Sequence, residues 1–221
     1  MPSVLLLNPN TNTQTTQMMV QLVQAQLPTG FVVHGITATQ GVPMITNTAQ
    51  LAVAAQQVAD CWQRAQHTGP WHGVVLACFA DPALHWLRSA TGVPTVGIGE
   101  AAMRAASRSG QPFGIATTTP DLDAAMHAQA QQLGLAQLYT GARYTQGNPL
   151  QLVANASALQ QQLHHAVRQC VDADGAHSVV IGGGPLGQAA HALDRSMDVP
   201  LIAPLDAAAQ WLQQALSPHA H

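Results

Sequence analysis

Short apolar runs alternate along this chain with longer stretches rich in Ala, Gln and Leu. Short runs bounded by turn residues are typical of buried strands, whereas the longer stretches have the length of helices. The apolar runs predict strands at residues 4–7, 31–37, 73–77, 94–98, 112–117, 138–144, 177–181 and 199–203. The longer stretches predict helices up to residue 27 and near residues 47–66, 82–91, 100–108, 121–133, 150–172, 187–196 and 206–216. This alternation predicts an α/β fold with largely parallel sheets.

The second half of the chain repeats part of the first. "HGVVLACFADP", residues 72–82, matches "HSVVIGGGPLG", residues 177–187, and "VPTVGIGEAA", residues 93–102, matches "VPLIAPLDAA", residues 199–208. The repeat predicts two similar doubly wound α/β lobes related by a pseudo-twofold axis. We assign residues 1–98 and 206–221 to the first lobe and residues 99–205 to the second. A ligand is expected in the cleft between the lobes, at the carboxyl ends of their strands.

The strand predicted at 73–77 ends at a cysteine, Cys78, and the matching position of the repeat is Gly183. We expect these residues to face each other across the cleft. A helix beginning near Pro82 would direct its N–H groups at Cys78 and lower the pKa of the thiol, as suits a thiolate base. The alternative for a single cysteine is packing in the core. Similarly, the N–H groups of Gly182–Gly184 either bind an anion ahead of a helix or only form a tight turn.

Composition narrows the range of partners. Of the 221 residues, 47% are hydrophobic and 8% are charged, against roughly 25% charged residues in an average soluble domain. So little charge predicts a surface hidden in a homo-oligomer interface. The net charge of −3 and the scattered basic residues argue against nucleic-acid binding. No membrane span or secretory signal is expected, and three widely spaced cysteines favour a reducing, cytoplasmic location.

Four short motifs follow one another in a characteristic order. "NPNTN", residues 8–12, follows the first strand, a cysteine follows the strand at 73–77, "ATTTP", residues 116–120, opens the second lobe, and a glycine-rich turn comes late. Over essentially its whole length the chain resembles the aspartate/glutamate racemase superfamily, and within it the hydantoin and allantoin racemase branch. The resemblance implies two doubly wound lobes, an active site between them, no cofactor, and a small-molecule carboxylate or cyclic-amide substrate.

The resemblance also implies a mechanism. Racemases of this family carry a cysteine on each lobe: one thiolate removes the proton from the α-carbon of the substrate, and the other thiol delivers a proton to the opposite face. Cys78 matches the first position, whereas Gly183 occupies the second. Besides these two catalytic positions, the resemblance implies nine residues that bind substrate. They are Asn8, Asn10, Thr11, Phe79, Thr117, Thr118, Gly182, Gly184 and Pro185.

Some of these residue types have other common uses. Asn and Thr in strand-to-helix turns are often helix caps. Asp81, beside Pro82, is expected to cap a helix or to orient its neighbours, and Glu100 is either a cap or a carboxylate of the pocket. Cys61 and Cys170 lie in helical patterns, where packing is the expected role.

The leading expectation is a cofactor-independent racemase or isomerase that moves a proton at a carbon α to a carbonyl. Its substrate would be hydantoin-like or amino-acid-like, and Cys78 would be the acid and base. Because Gly183 offers no thiol, the second proton would have to come from water, from a tyrosine such as Tyr139 or Tyr144, or by a slow substrate-assisted route. A single-thiol decarboxylase or lyase is one alternative, since it needs one proton donor. A small-molecule binding protein without catalysis is another.

Two other kinds of site are not expected. The eleven histidines and three cysteines lack zinc-ligand spacing, so no metal is predicted. Gly182, Gly184 and Gly187 match a dinucleotide-binding motif, with Asp206 about 20 residues later. However, too little chain follows to complete such a domain, and Pro185 removes an N–H from the loop.

Overall fold

A computed structural model of the chain describes residues 1–194 and 197–217. Residues 195–196, at the end of the helix predicted at 187–196, lie outside the described residues. So do residues 218–221 of the predicted first lobe.

The first half of the chain forms one parallel four-stranded sheet with flanking helices. Its elements are β1 (Ser3–Asn8), α1 (Thr13–Gln26), β2 (Val32–Thr37), α2 (Thr48–Ala65), β3 (Trp71–Leu76), α3 (Leu84–Thr91) and β4 (Thr95–Gly97). The strand order is β2-β1-β3-β4, and each neighbouring pair is parallel. β1 and β3 therefore lie at the centre, where all four residues from Val4 to Leu7 are buried.

The second half forms a second parallel sheet. Its elements are α4 (Ile98–Ala106), β5 (Phe113–Thr117), α5 (Asp123–Gln132), β6 (Tyr139–Tyr144), α6 (Pro149–Val153), α7 (Ala156–Asp172), β7 (Ser178–Gly182), α8 (Gly187–Asp194), β8 (Leu201–Ile202) and α9 (Pro204–Ala215). The order β6-β5-β7-β8 repeats that of the first sheet with the same parallel pairing. The prediction of two similar α/β lobes is confirmed.

Two predicted helices differ from the structure. The stretch at 150–172 is two helices, because the side chain of Asn155 accepts the N–H of Ala158 and starts α7 anew. The helix expected from residue 82 begins at Leu84 instead, since Asp81 and Ala83 both adopt left-handed backbone angles (φ 47° and 56°). The second difference changes the surroundings of Cys78.

Two helices join the lobes. α9 packs on the first sheet, where Leu205 and Leu212 are buried with Val75. α4 contributes Ile98 to that same core and Met103 to the core of the second lobe. Burying a side chain of this size stabilises a protein by about 2 kcal/mol, so these contacts join the two lobes around a common cleft. No helix among the described residues is both long and apolar enough to cross a membrane.

Candidate active site

The central strands of both sheets end at one cavity. The volume of this cavity is about 60 Å³. The first lobe contributes Asn10, Met44, Ile45, Ala77, Cys78, Phe79 and Ala80 to the cavity wall. The second lobe contributes Thr118, Thr119, Leu122, Met126 and the five residues Gly182, Gly183, Gly184, Pro185 and Leu186. The wall is mostly apolar, and Cys78 is its single titratable side chain among the described residues.

Of the predicted site residues, eight line this cavity and three do not. Those in the wall are Asn10, Cys78, Phe79, Thr118, Gly182, Gly183, Gly184 and Pro185. Asn8, Thr11 and Thr117 lie outside it. The three exceptions belong to the same turns as lining residues, so they shape the site without bordering it.

Asn8, the last residue of β1, organises the first turn. It is fully buried, and its amide nitrogen donates to the Asn10 side-chain oxygen and to the Thr16 hydroxyl, both at 2.9 Å. Its side-chain oxygen accepts the backbone N–H of Asn10 at 3.1 Å. Thr11 is held through its backbone, whose N–H donates to the Val42 carbonyl. Asn8 therefore fixes the position of Asn10 at the cavity.

Replacing Asn8 with alanine is expected to lower the free energy of unfolding by about 2–3 kcal/mol, because the buried N–H of Asn10 loses its acceptor. Urea denaturation followed by circular dichroism measures the loss. The matched control is Asn155→Ala, which removes an exposed helix cap and is expected to cost about 1 kcal/mol. Equal losses in the two variants would contradict a special role for the Asn8 network.

Cys78 follows β3 in a tight turn, in which the N–H of Asp81 donates to the Cys78 carbonyl at 2.9 Å. The side chain is partly exposed and lines the cavity. The prediction of a lowered thiol pKa is wrong. Burial, and after it the Asp81 carboxylate, raise the pKa of Cys78 to about 12, although a hydrogen bond from the Ala80 backbone opposes them. The expected helix N-terminus lies too late, since α3 begins at Leu84.

Asp81 does not cap the helix that follows it. α3 has no side-chain cap, and the Asp81 carboxylate instead accepts the backbone N–H groups of Gly99 at 3.1 Å and Glu100 at 2.6 Å. It therefore caps α4, and Gln129 of α5 adds a third bond at 2.7 Å. Burial raises the pKa of Asp81 to about 8, while these backbone hydrogen bonds act in the opposite direction. Glu100 pairs with Arg88 and Arg104 and does not line the cavity.

The glycine turn after β7 lies directly against the Cys78 segment. A Cβ atom on Gly182 would come within 3.0 Å of the Phe79 ring, and one on Gly184 within 2.6 Å of the Met19 sulfur. Gly183 has φ 149°, a backbone region that residues with side chains seldom adopt, and its Cβ would lie 3.2 Å from Leu186. The two turns predicted to oppose each other are in contact, with bare backbone on the second side.

Thr117 supports this turn from beneath. As the last residue of β5 it is buried, and its hydroxyl donates to the Gly182 carbonyl at 2.5 Å. The next two residues, Thr118 and Thr119, line the cavity. Thr117 still belongs to β5, whereas Thr118 and Thr119 follow the end of the strand and border the cavity. The sequence does not reveal where in the threonine run this change occurs.

The other candidate groups lie outside the cavity. The Tyr144 hydroxyl donates to Asp123, and the Tyr139 hydroxyl is buried without a partner among the described residues. Burial raises the pKa of both tyrosines, so neither is an acid near neutral pH. Cys61 of α2 and Cys170 of α7 are fully buried in the hydrophobic cores of the two lobes.

Besides Thr119, seven apolar lining residues escaped the sequence analysis, namely Met44, Ile45, Ala77, Ala80, Leu122, Met126 and Leu186. They lie in loops or helix starts, and their apolar character resembles that of core positions. Only the approach of the two lobes turns these residues into a cavity wall. Among residues 1–194 and 197–217, no three His, Cys, Asp or Glu side chains gather to hold a metal ion.

The sequence as a whole matches a known family. A sequence model for the family described as Asp/Glu/Hydantoin racemase covers residues 4–212. This chain belongs to the Asp/Glu/hydantoin racemase family. The family predicted from the motifs is thereby confirmed.

Relatives extend along nearly the whole of this racemase-family chain. Hydantoin racemase from Paenarthrobacter aurescens is 27% identical over 205 residues, which is 93% of this chain and 87% of that protein. Allantoin racemase from Klebsiella pneumoniae shares 26% identity with a TM-score of 0.89, over 99% of this chain and 91% of that chain. Arylmalonate decarboxylase has a TM-score of 0.65 at 18% identity, over 99% and 94% of the two chains, and so shares the fold.

Proposed function

We propose that this protein moves a proton at a carbon adjacent to a carbonyl, with Cys78 as the acid and base and without a cofactor. One observation carries the proposal: Cys78 is the single titratable side chain in the wall of the cavity between the lobes, within the described residues. The racemase family, and its hydantoin and allantoin racemase relatives, supply the class of reaction.

The cavity favours a substrate without a full negative charge. No arginine lines it within the described part of the chain, and the sequence contains no lysine. Removing a carboxylate from water without a cationic partner is costly, whereas a ring amide needs only neutral hydrogen-bond partners. Asn10, Thr118 and Thr119 offer such partners. We therefore propose a hydantoin-like ring as the first substrate class and an amino-acid-like substrate as the second.

In the proposed reaction the Cys78 thiolate takes the proton from the α-carbon, and the electrons of the C–H bond move toward the carbonyl oxygen. Backbone N–H groups of the glycine turn stabilise the resulting enolate. Gly183 supplies no acid on the other face, so a water molecule returns the proton there. The hydroxide left by this water takes up the proton of the Cys78 thiol through solvent, which restores the thiolate. Protonation on the far face inverts the substrate, whereas return of the proton from Cys78 regenerates the starting enantiomer, so repeated cycles racemise it.

A second candidate is decarboxylation, which Gly183 favours because a single thiol completes it. The substrate would lose CO2, the electrons of the broken C–C bond would form an enolate, and the Cys78 thiol would protonate that enolate from one side. Solvent then restores the proton on sulfur. The raised pKa of Cys78 suits this role, since the resting side chain is a protonated thiol.

Deuterium labelling tests the proposal. One enantiomer of a 5-substituted hydantoin is incubated with the protein in D2O, and chiral chromatography with mass spectrometry follows the label. Racemisation predicts deuterium in both enantiomers, faster than in buffer alone. A malonate with two different substituents on C2 that releases CO2 and yields one labelled enantiomer supports decarboxylation. Binding of either compound without exchange or CO2 release would contradict both and identify a binding protein.

The pH dependence separates the two reactions. A thiol with a pKa of about 12 gains ionised fraction about tenfold per pH unit below that value. Racemisation, which starts from the thiolate, is therefore expected to accelerate about tenfold per unit between pH 6 and 7, before Asp81 ionises. Decarboxylation, which uses the protonated thiol, should change little over that interval. Initial rates, corrected for the buffer reaction, decide between them.

A further inference from the structure

We propose that Asp81 is a positioning residue that holds the Cys78 turn in the cleft and sets the reactivity of the thiol through the charge of its carboxylate. This proposal rests on the proposed function, because it concerns the residue that controls the reactivity of the catalytic cysteine. It stands on three features of the structure: the bonds of the carboxylate, the space made for it, and the partner it finds in the second lobe.

The carboxylate ties the Cys78 turn to the first turn of α4. Asp81 is 9% exposed, and its own N–H closes the turn on the Cys78 carbonyl. Its Oδ1 accepts the Gly99 N–H at 3.1 Å, and its Oδ2 accepts the Glu100 N–H at 2.6 Å. A helix N-terminus stabilises a negative charge at this position. The turn therefore cannot move away from α4 without breaking both bonds.

Two glycines make room for this contact. A Cβ atom on Gly97 would lie 2.2 Å from Cγ of Asp81, and one on Gly99 would lie 1.8 Å from the Phe79 carbonyl oxygen. Neither distance is possible for a real side chain, so α4 approaches the Cys78 turn as closely as its backbone allows. The close approach also brings the carboxylate near enough to the thiol to raise the pKa of Cys78.

Gln129 links Asp81 to the second lobe by a hydrogen bond, and its amide can bond to the Asp81 carboxyl group in either protonation state. Its Nε2 donates to Oδ2 at 2.7 Å, while its Oε1 is buried without a partner among the described residues. A rotation of the amide by 180° would place Oε1 where Nε2 now lies. There Oε1 would accept a hydrogen bond from the O–H group of a protonated Asp81. The contact between the lobes thus persists whether the carboxylate is charged or neutral.

Charged and titratable neighbours surround Asp81 on three elements. They are Cys78 in its own turn, His85 and Arg88 on α3, and Glu100 and Arg104 on α4. Both arginines pair with Glu100, and α5 presents only uncharged residues, including Gln129, to this groove. Burial raises the pKa of Asp81 to about 8. The charge next to Cys78 is therefore expected to appear as the pH passes through 8.

The test is the rate at which iodoacetamide alkylates Cys78, measured from pH 6 to pH 10 by peptide mass spectrometry. Asp81→Asn keeps the size of the side chain and one acceptor oxygen and removes the charge. Its amide nitrogen replaces the other acceptor, an effect that does not vary with pH and therefore cannot produce a pH-dependent rate ratio. The ratio of the variant rate to the wild-type rate is expected to be near one at pH 6 and to reach about ten above pH 9, because a neighbouring charge shifts a pKa by about one unit or more. A ratio that stays constant with pH would overturn the inference.

The Gln129→Leu variant gives a second, independent test of the inference. The bond from Nε2 to the charged carboxylate is stronger than the bond that Oε1 can accept from the neutral acid. Losing the amide therefore destabilises the charged form more, and the bend in the alkylation profile of the variant is expected to move to higher pH, by up to about one unit. Gln131→Leu, an exposed position on the same helix, is the matched control and should keep the wild-type profile. An unmoved bend in Gln129→Leu would contradict the role of the amide.

Alkylation requires no substrate, so the two proposals can fail separately. A flat rate ratio in a protein that racemises or decarboxylates substrate overturns the role of Asp81 alone. Conversely, the expected alkylation profiles in a protein that processes neither substrate would overturn the proposed function and leave the coupling of Asp81 to Cys78 intact.

Discussion

The Cys78→Ser variant is expected to lose at least about a thousandfold of the wild-type rate of proton exchange or CO2 release. A positioned acid or base contributes about 10²–10⁴ to a rate, and the described wall of the cavity offers no other titratable side chain to replace the thiol. A serine hydroxyl is a far weaker acid than a thiol, so it neither ionises to a useful base nor delivers a proton readily. Deuterium exchange and CO2 release measure the effect directly.

Cys61→Ser is the matched control for this prediction. Cys61 is a buried residue of α2, and its sulfur accepts a hydrogen bond from Arg64 that a hydroxyl can also accept. The activity of the Cys61→Ser variant is expected to stay within about twofold of the wild type. Its free energy of unfolding is expected to fall by about 1 kcal/mol. Circular dichroism of both variants verifies that they fold. Retention of activity in Cys78→Ser would remove the basis of the proposed chemistry.

Gly99→Ala is expected to produce the largest loss of stability. Its Cβ atom would lie 1.8 Å from the Phe79 carbonyl oxygen, a backbone atom that no side-chain rotation can move away. Either α4 or the Cys78 turn must shift, and the bonds of Asp81 to the start of α4 are lost with it. Overpacking costs typically 1–3 kcal/mol, and with the lost bonds we expect about 3 kcal/mol or more.

For a chain of this length, a loss of about 3 kcal/mol lowers the melting temperature by roughly 6–12 °C. Scanning calorimetry or a thermal shift assay measures the change. Gly69→Ala is the control, since its Cβ would meet only the Trp71 ring at an ordinary 3.8 Å, and its melting temperature should stay within about 2 °C of the wild type. A stable Gly99→Ala protein would show that the Cys78 turn does not depend on its close contact with α4.

The same contact explains why the pKa of the Cys78 thiol is raised, whereas the sequence predicts a lowered value. Sequence order places Pro82 shortly after Cys78, and a helix starting there would have lowered the pKa of the thiol. The chain instead takes left-handed angles at Asp81 and Ala83, and α3 starts later. A carboxylate rather than a helix N-terminus then lies beside the sulfur. Local patterns cannot reveal this, because the partners of Asp81 lie 18, 19 and 48 residues away.

The sequence by itself determined the fold class, the repeat and the family. Strand and helix periodicity depends on neighbouring residues, and the repeat predicted that the strand-end turns carrying Cys78 and Gly183 would meet. The tertiary structure decided which turn residues border the cavity. Thr117 bonds to the Gly182 carbonyl outside the cavity, whereas Thr118 lines it. Only the structure shows that the Asp81 carboxylate bonds to the start of α4. The physical reason is that exposure and charge at a site depend on groups distant in sequence, whose approach is set by the packing of the two lobes.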